Sequence, residues 1–381
     1  MLEECSPRSV CESGCAGNSV SGYLLFVPLL PVYGHSAIRA RLRDMVVRGA
    51  LPSSLLLQGP RGVGKQQLAL WVARLLLCEN NTQADAPCGR CQSCRLTGEV
   101  QHPDLHWFFP RERLKRNPDD VEAIRDDMAE AVRERVENDG IYEPSAGDQG
   151  IFVSTIRALV QTAAMSPALA RRKVMIVGDA EQMIVQEGSD QAANAFLKLL
   201  EEPPADTTIL LTSSEPGALL PTIRSRVVSI RVAPISDDDV RQFLENPAVE
   251  KRLDLGGDPS EDVVRLAGGA PGRLVSRDAW RSALAQAEKI LEAASGHDRG
   301  AKMRVALSQG ASGARGKFSD TLDALTFLLH DRARAASRKG DARAALGASK
   351  AIQAVEDAKD QAYHNVNPQL LTAMLVQQMG I

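Results

Sequence analysis

Short apolar runs alternate with stretches of helical period between residues 54 and 232. The runs are Leu55–Leu57, Leu105–Phe109, Val174–Val177, Ile209–Leu211 and Val227–Val232. Each has the length and continuity of a strand buried on both faces. Between them apolar side chains recur at helical spacing, as at Leu68, Val72, Leu75 and Leu76. Strands separated by helices predict a parallel sheet with helices on both sides, an α/β architecture.

The strand pattern stops after Pro234. Ser236 followed by Asp239 reads as a capping box that opens a helix. A Gly-Gly-Ala-Pro-Gly turn at 268–272 comes next, and from about 278 onward every segment is helical in pattern, with Leu322, Leu325, Leu328 and Leu329 sharing one face. The expected organisation is an unplaced tail over 1–31, an α/β domain over 32–233, a small helical lid over 234–277 and an all-helical domain over 278–381. Residues 111–149 are polar and read as an insertion. Asn117 as N-cap, Pro118 at the first position and Asp119 and Asp120 in the first turn predict a helix over 118–138. Its apolar stripe is Val121, Ile124, Met128, Val132 and Val136. That pattern fits a solvated surface excursion or, as the sharper alternative, a helix that docks a partner.

A chain of 381 residues is too long for one ordinary core, in keeping with that division. At 44% hydrophobic and 24% charged, it has the composition of a soluble globular protein. The net charge of −3 lacks the basic excess of a dedicated nucleic-acid binder. No apolar run reaches the roughly 18 residues needed to span a bilayer. The short run from Tyr23 to Val32 follows Glu3, Glu4 and Glu12 against Arg8, the wrong charge for a signal peptide, so the chain is expected to be cytoplasmic.

Gly59-Pro-Arg-Gly62-Val-Gly64-Lys65-Gln66 lies between the first strand and a helix, the context a P-loop requires. There backbone N–H groups curl around phosphates, the helix N-terminus adds partial positive charge, and the lysine reaches the terminal phosphates. Gln66 departs from the pattern, which wants a Ser or Thr hydroxyl as a Mg²⁺ ligand; its carbonyl offers an oxygen on a longer arm. A second departure follows the strand Val174–Val177. Two acids belong there, one for the metal shell and one to activate water, but the sequence reads Gly178-Asp179. With the hydroxyl and one acid missing, ATP and Mg²⁺ become doubtful cofactors and hydrolysis should be severely slowed or absent.

Seven cysteines are present, and four of them, Cys78, Cys88, Cys91 and Cys94, fall within 17 residues. The spacing x9-x2-x2 supplies four thiolates for a closed, structural zinc site within a module over 78–104. Iron–sulfur is possible by ligand type but lacks a supporting redox context. Cys5, Cys11 and Cys15 are too loosely spaced for the same reading.

Two further strings are ordinary alone: Leu199-Leu-Glu201-Glu-Pro-Pro204 at a helix end, and Ser225-Arg226 before the last strand. In order with the P-loop, the cysteine module and His102-Pro103-Asp104, they resemble the AAA+ clamp-loader family of bacterial DNA polymerase III over about residues 32–275. Within it, Gln66 and Gly178-Asp179 side with the delta-prime branch rather than the ATP-hydrolysing gamma/tau branch. The resemblance implies a five-stranded parallel sheet in the order 5-1-4-3-2, and a C-terminal collar that holds a hetero-pentameric ring with gamma/tau and delta subunits. That ring would load a sliding clamp onto primed DNA. It also implies that Arg226 is an arginine finger completing a neighbour's ATP site in trans. The sensor-1 position falls at Ser213 or Ser214, and the sensor-2 arginine is displaced, with Gly272 near its place and Arg273 one residue later. Two alternatives remain: a working gamma/tau-like ATPase, distinguished by turnover in the isolated chain, and an AAA+ switch outside replication, which would lack the cysteine module and the Glu-Glu-Pro-Pro string.

Overall fold

The computed structural model describes residues 29–83, 86–142, 149–183, 190–254, 261–310, 315–363 and 366–379. Cys5, Cys11 and Cys15 lie outside the described residues. Five strands form the sheet: β1 (Ser54–Gln58), β2 (Leu105–Phe108), β3 (Lys173–Val177), β4 (Thr207–Ser213) and β5 (Val228–Arg231). All pairings are parallel, in the order β2-β3-β4-β1-β5, which is the expected order read from the other edge. The central strands are buried along their whole length, as continuous apolar runs demand. β5 is the exposed strand: Ile230 is buried while Val228, Ser229 and Arg231 are exposed, whereas the other edge, β2, is mostly buried.

Helices α1 (Ser36–Val47), α2 (Lys65–Leu77), α3 (Gln92–Gly98), α4 (Val121–Glu137), α5 (Val153–Ala164), α6 (Asp190–Glu201) and α7 (Pro221–Arg224) accompany the sheet. α2 buries Leu68, Val72 and Leu76 in the main core. Each such side chain contributes about 1.5–3 kcal/mol on leaving water.

The polar insertion differs from expectation at its start and on its inner face. The helix begins at Val121, not Pro118. Asn117 takes φ +50 in the preceding turn, and the Asp120 carboxylate caps the helix by accepting from Glu122 N–H at 3.0 Å. That acceptor lies next to the first residue of the apolar stripe, so the helix forms where capping and burial begin together. Nor is α4 a solvated excursion. Ile124, Met128 and Ala131 enter the main core, and the same face ends on the buried Arg135.

α8 (Asp237–Leu244), α9 (Pro247–Leu253) and α10 (Glu261–Ala267) build a second cluster around Val240, Leu244, Val249 and Val264. Ser236 and Asp239 form the expected reciprocal capping box. A third cluster belongs to α11 (Arg277–Ser295), α12 (Arg299–Leu307), α13 (Arg315–Arg338), α14 (Ala342–Tyr363) and α15 (Pro368–Met379), with Leu322, Leu325 and Leu329 at its centre. Arg61 reaches across from the sheet unit to Asp320 of α13 at 3.2 Å. Among the described residues no helix is long and apolar enough to cross a membrane.

Candidate functional site

The loop between β1 and α2 wraps over the sheet where β1 and β5 end. A Cβ on Gly59 would stand 2.1 Å from the Val232 carbonyl oxygen, so no other residue fits there. Gly62 and Gly64 take φ +82 and +89, which points successive N–H groups into the hollow of the loop. The loop is closed from the far side by the turn at 271–274, where Gly272 N–H donates to Gly62 O at 2.9 Å. A cavity of about 170 Å³ lies beneath, lined in part by Gly62, Gly64, Lys65, Asp179, Ser214 and Tyr142.

Lys65 is buried, and its ammonium donates to Gly59 O and Pro60 O (both 2.9 Å) and to Ser214 Oγ (2.8 Å). Burial lowers its pKa, with Asp179 and Glu181 opposing. Of the two positions considered for sensor 1, Ser214 is therefore the one that touches the lysine. Its backbone N–H donates to Glu181 Oε1 at 2.9 Å, while Glu181 Oε2 is enclosed with no hydrogen-bond partner among the described residues. Burial and the neighbouring Asp179 push the Glu181 carboxyl up to about 7.

Gln66 does not point an oxygen at a metal. Its Oε1 accepts from Trp107 Nε1 (3.1 Å) and Arg135 Nη1 (3.2 Å), and its Nε2 donates to Asp179 Oδ2 (3.0 Å). The two donors on one side and the carboxylate on the other fix the orientation of the amide. The amide also fills the space above Gly178, where a Cβ would lie 2.6 Å from Gln66 Oε1. The two departures from the P-loop pattern are thus one packing solution: glutamine occupies the volume the missing acid vacated. These residues do not fit a Mg²⁺ site.

Arg135 arrives from the insertion. Its guanidinium carbon stands 3.3 Å from the centroid of the Phe109 ring and 3.6 Å from that of Tyr142, with Trp107 at 4.9 Å. The aromatic faces accommodate a buried cation that water no longer solvates. Sequence reasoning missed Arg135, Tyr142 and Glu181. The available signal for Arg135 was its place at i, i+4, i+7, i+11 with Ile124, Met128 and Ala131, a charge on a buried stripe.

Cys78 ends α2, Cys91 caps α3 and Cys94 lies within α3. The four sulfur atoms of Cys78, Cys88, Cys91 and Cys94 lie within 4.8 Å of one another, and Cys78 and Cys88 are 3.7 Å apart. Four thiolates about 2.3 Å from a central ion stand close to that separation, so the cluster fits a tetrahedral metal. Cys94 N–H donates to Cys91 Sγ at 3.3 Å, as a knuckle requires. Backbone donors from Arg90 and Cys91 lower the Cys88 thiol to about 6, favouring the thiolate.

His102-Pro103-Asp104 has a structural task. The Asp104 carboxylate accepts N–H groups of Ala168, Leu169 and Ala170, tying down the loop that leads into β3. The Arg273 backbone abuts Gly62, but its guanidinium turns away from the cradle, 4.3 Å from the Trp280 ring centroid. Arg226 sits before the edge strand, apart from the cavity lining. It donates through Nε to Glu201 Oε1 at 2.7 Å, again through Nη2, and through Nη1 to Thr222 O at 2.8 Å. Glu201 belongs to the Leu-Leu-Glu-Glu-Pro-Pro string, so the fold joins two motifs that are separate in sequence.

A parallel sheet in this order, with a P-loop-like turn after β1 and a helical unit folded against it, defines an AAA+-type module. The family described as "DNA polymerase III, delta subunit" matches residues 34–236, and the chain belongs to it. The DNA polymerase III subunit delta' of Pseudomonas aeruginosa is 33% identical over 224 residues, covering 57% of this chain and 52% of that protein. The Escherichia coli K12 subunit delta' is 30% identical over 232 residues, covering 60% and 56%. Subunit tau of Salmonella typhimurium is 28% identical over 222 residues, covering 58% of this chain and 28% of tau. The chain thus spans about half the length of the delta' relatives it matches.

Proposed function

We propose that this chain is a delta-prime-like subunit of a DNA polymerase III clamp loader, bracing the ring and supplying Arg226 to a neighbour's ATP site. Its own cradle has no metal acid at 178, and Gln66 is committed to protein partners, so its ATPase is weak or absent; this disfavours the gamma/tau-like alternative. The observation that carries the reading is the placement of Arg226: half-buried beside the edge strand, outside its own cavity, held by Glu201. Glu201 orients the guanidinium without burying it, and a partner's triphosphate, with its greater charge, can compete for it.

The other roles are consistent with this. Zn²⁺ is the metal proposed for Cys78, Cys88, Cys91 and Cys94, where it would staple the end of α2 to α3 and stiffen the helix that carries Lys65. Met303, Leu307, Leu370 and Met374 are exposed on the packed helices α12 and α15, an apolar surface of the kind that subunit contacts cover. Proposed partners are gamma/tau and delta subunits, with the sliding clamp and primed DNA met through the complex in the cytoplasm.

The test is clamp- and DNA-stimulated ATP turnover by reconstituted rings. Arg226→Ala should assemble but lower turnover, since an arginine finger is worth about 10³ to 10⁵ at the site it serves, diluted by the ring's other sites. Arg224→Ala is the control. Rings in which Arg226→Ala matches wild type while Arg224→Ala fails would remove the assignment.

A further inference from the structure

One face of α13 is fitted against the cradle. Ser319, Asp320, Asp323 and Phe327 follow one another on it at helical spacing. Arg61 of the loop donates to Asp320 Oδ1 at 3.2 Å. Ser319 Oγ donates to Glu215 Oε1, and Glu215 follows Ser214, the hydroxyl that accepts from Lys65. Lys359 of α14 pairs with Asp323 at 2.8 Å. Phe327 meets the lid, where a Cβ on Gly268 would lie 2.1 Å from its ring. Arg61 also lines the cavity, and with Lys65 it is one of two cations in the stretch from Gly59 to Lys65. We propose that α13 is an autoinhibitory brace on the cradle: while Asp320 holds Arg61, a polyphosphate in the cleft is disfavoured, and one that binds there loosens α13 in turn.

A carboxylate and a phosphate chain compete for the same kind of partner. The charge that Arg61 spends on Asp320 is withheld from the cavity it lines. The buried Lys65 feels both sides of the contact, since Arg61 lowers its pKa and Asp323 raises it. The acids of α13 are crowded in return. Burial raises the Asp320 pKa, Asp323 and Glu215 add to that, and Arg61 opposes it. Drawing Arg61 toward a bound anion would leave Asp320, Asp323 and Glu215 facing one another with less to offset them, which pushes α13 away. The exchange is within reach because the pair is not sealed: its side chains are 29% and 30% exposed, where an ion pair is weak. Coupling between two sites is reciprocal, so whatever the brace takes from anion binding, anion binding takes from the brace. Occupancy of a cleft unfit for hydrolysis would thereby be read out in the seating of the C-terminal helices.

Binding of ATP to the full chain in a Mg²⁺ buffer, followed by isothermal titration, tests this. Asp320→Asn keeps the shape and removes the charge, and should tighten binding about three- to fivefold, the worth of a part-exposed ion pair. In an Arg61→Gln background the same change should have no effect, because the charge it would free is gone. Asp278→Asn makes an equal charge change on α11, where the side chain is 98% exposed, and should leave affinity alone. Circular dichroism checks folding. Should Asp320→Asn not fold, Ser319→Ala, which frees the same face of α13 from Glu215, takes its place and should tighten binding by more than about twofold. Wild type that does not bind measurably while the variant does supports the brace. A gain of about twofold or less, weaker binding, no binding by any of these proteins, an equal gain in Asp278→Asn, or an Asp320→Asn gain that survives Arg61→Gln overturns it. None of these results touches the trans role of Arg226, which is read in ring turnover.

Discussion

Gly178 offers the sharpest check on the claim that the two departures from the P-loop pattern are one solution. Adding a single methyl, Gly178→Ala, places a carbon 2.6 Å from Gln66 Oε1 and 2.8 Å from Nε2. The glutamine is flexible and can swing aside, so the steric cost alone is small. Swinging, however, breaks its bonds to Trp107, Arg135 and Asp179. Arg135 keeps its aromatic neighbours, but the buried Trp107 indole N–H is left without an acceptor. An orphaned buried donor costs about 1–3 kcal/mol and the two charge-assisted bonds add to it, for a total of about 3 kcal/mol. Gln66→Thr alone loses the same three bonds and should cost a similar amount. In the double variant the methyl enters volume already emptied, so the costs should overlap rather than add, giving a coupling of about 2 kcal/mol or more. Urea unfolding of the four proteins, followed by tryptophan fluorescence, measures this cycle. If Gly178→Ala unfolds with wild type, or if the two changes add within about 0.5 kcal/mol, the interlock is not there.

Three further outcomes are expected. Purified protein should carry one zinc per chain, and Cys91→Ser should release it and lower the unfolding midpoint, because metal affinity is folding energy in such sites; metal analysis of reduced protein decides. Glu181, raised to about 7 in the folded chain, favours the protonated state on folding, so its contribution is complete below the usual carboxylate value and is lost as pH rises toward about 7. Glu181→Gln should flatten that part of the stability–pH curve, and an unchanged slope would refute the assignment. Glu201→Ala should cost less than about 1 kcal/mol in urea unfolding, since Glu201 is 47% and Arg226 31% exposed. A loss well above that would mean the pair holds the fold together rather than presenting the arginine.

The sheet was legible in the sequence because its strands are buried on both faces, where apolar runs leave little room for another reading, and the clamp-loader resemblance supplied their order. The cysteine cluster was equally plain, since ligand chemistry fixes both residue type and spacing. The start of α4 was not, because Asn117 and Asp120 are both good caps and only the three-dimensional position of the first buried turn chooses between them. Gln66 and Gly178 could be seen to be wrong for metal, each separately. That one fills the gap left by the other depends on a distance between segments more than 100 residues apart.

Arg135 shows the same limit more strongly. In a polar segment, an arginine beside Glu134 and Glu137 is by default a solvated charge. What identifies it is that α4 lays one face on the core and so carries residue 135 to the end of the P-loop helix. There a cation is tolerable only because Phe109, Tyr142 and Trp107 surround it and Gln66 accepts from it. Each of those residues has a sufficient local explanation as core, and none points to the others along the chain. Hydrolysis needs a metal and a water at the same place, and here the Gln66 amide is committed to Trp107, Arg135 and Asp179 instead. The trans role proposed for the edge arginine, which is built on different elements and paired through Glu201, does not depend on whether the cleft holds nucleotide.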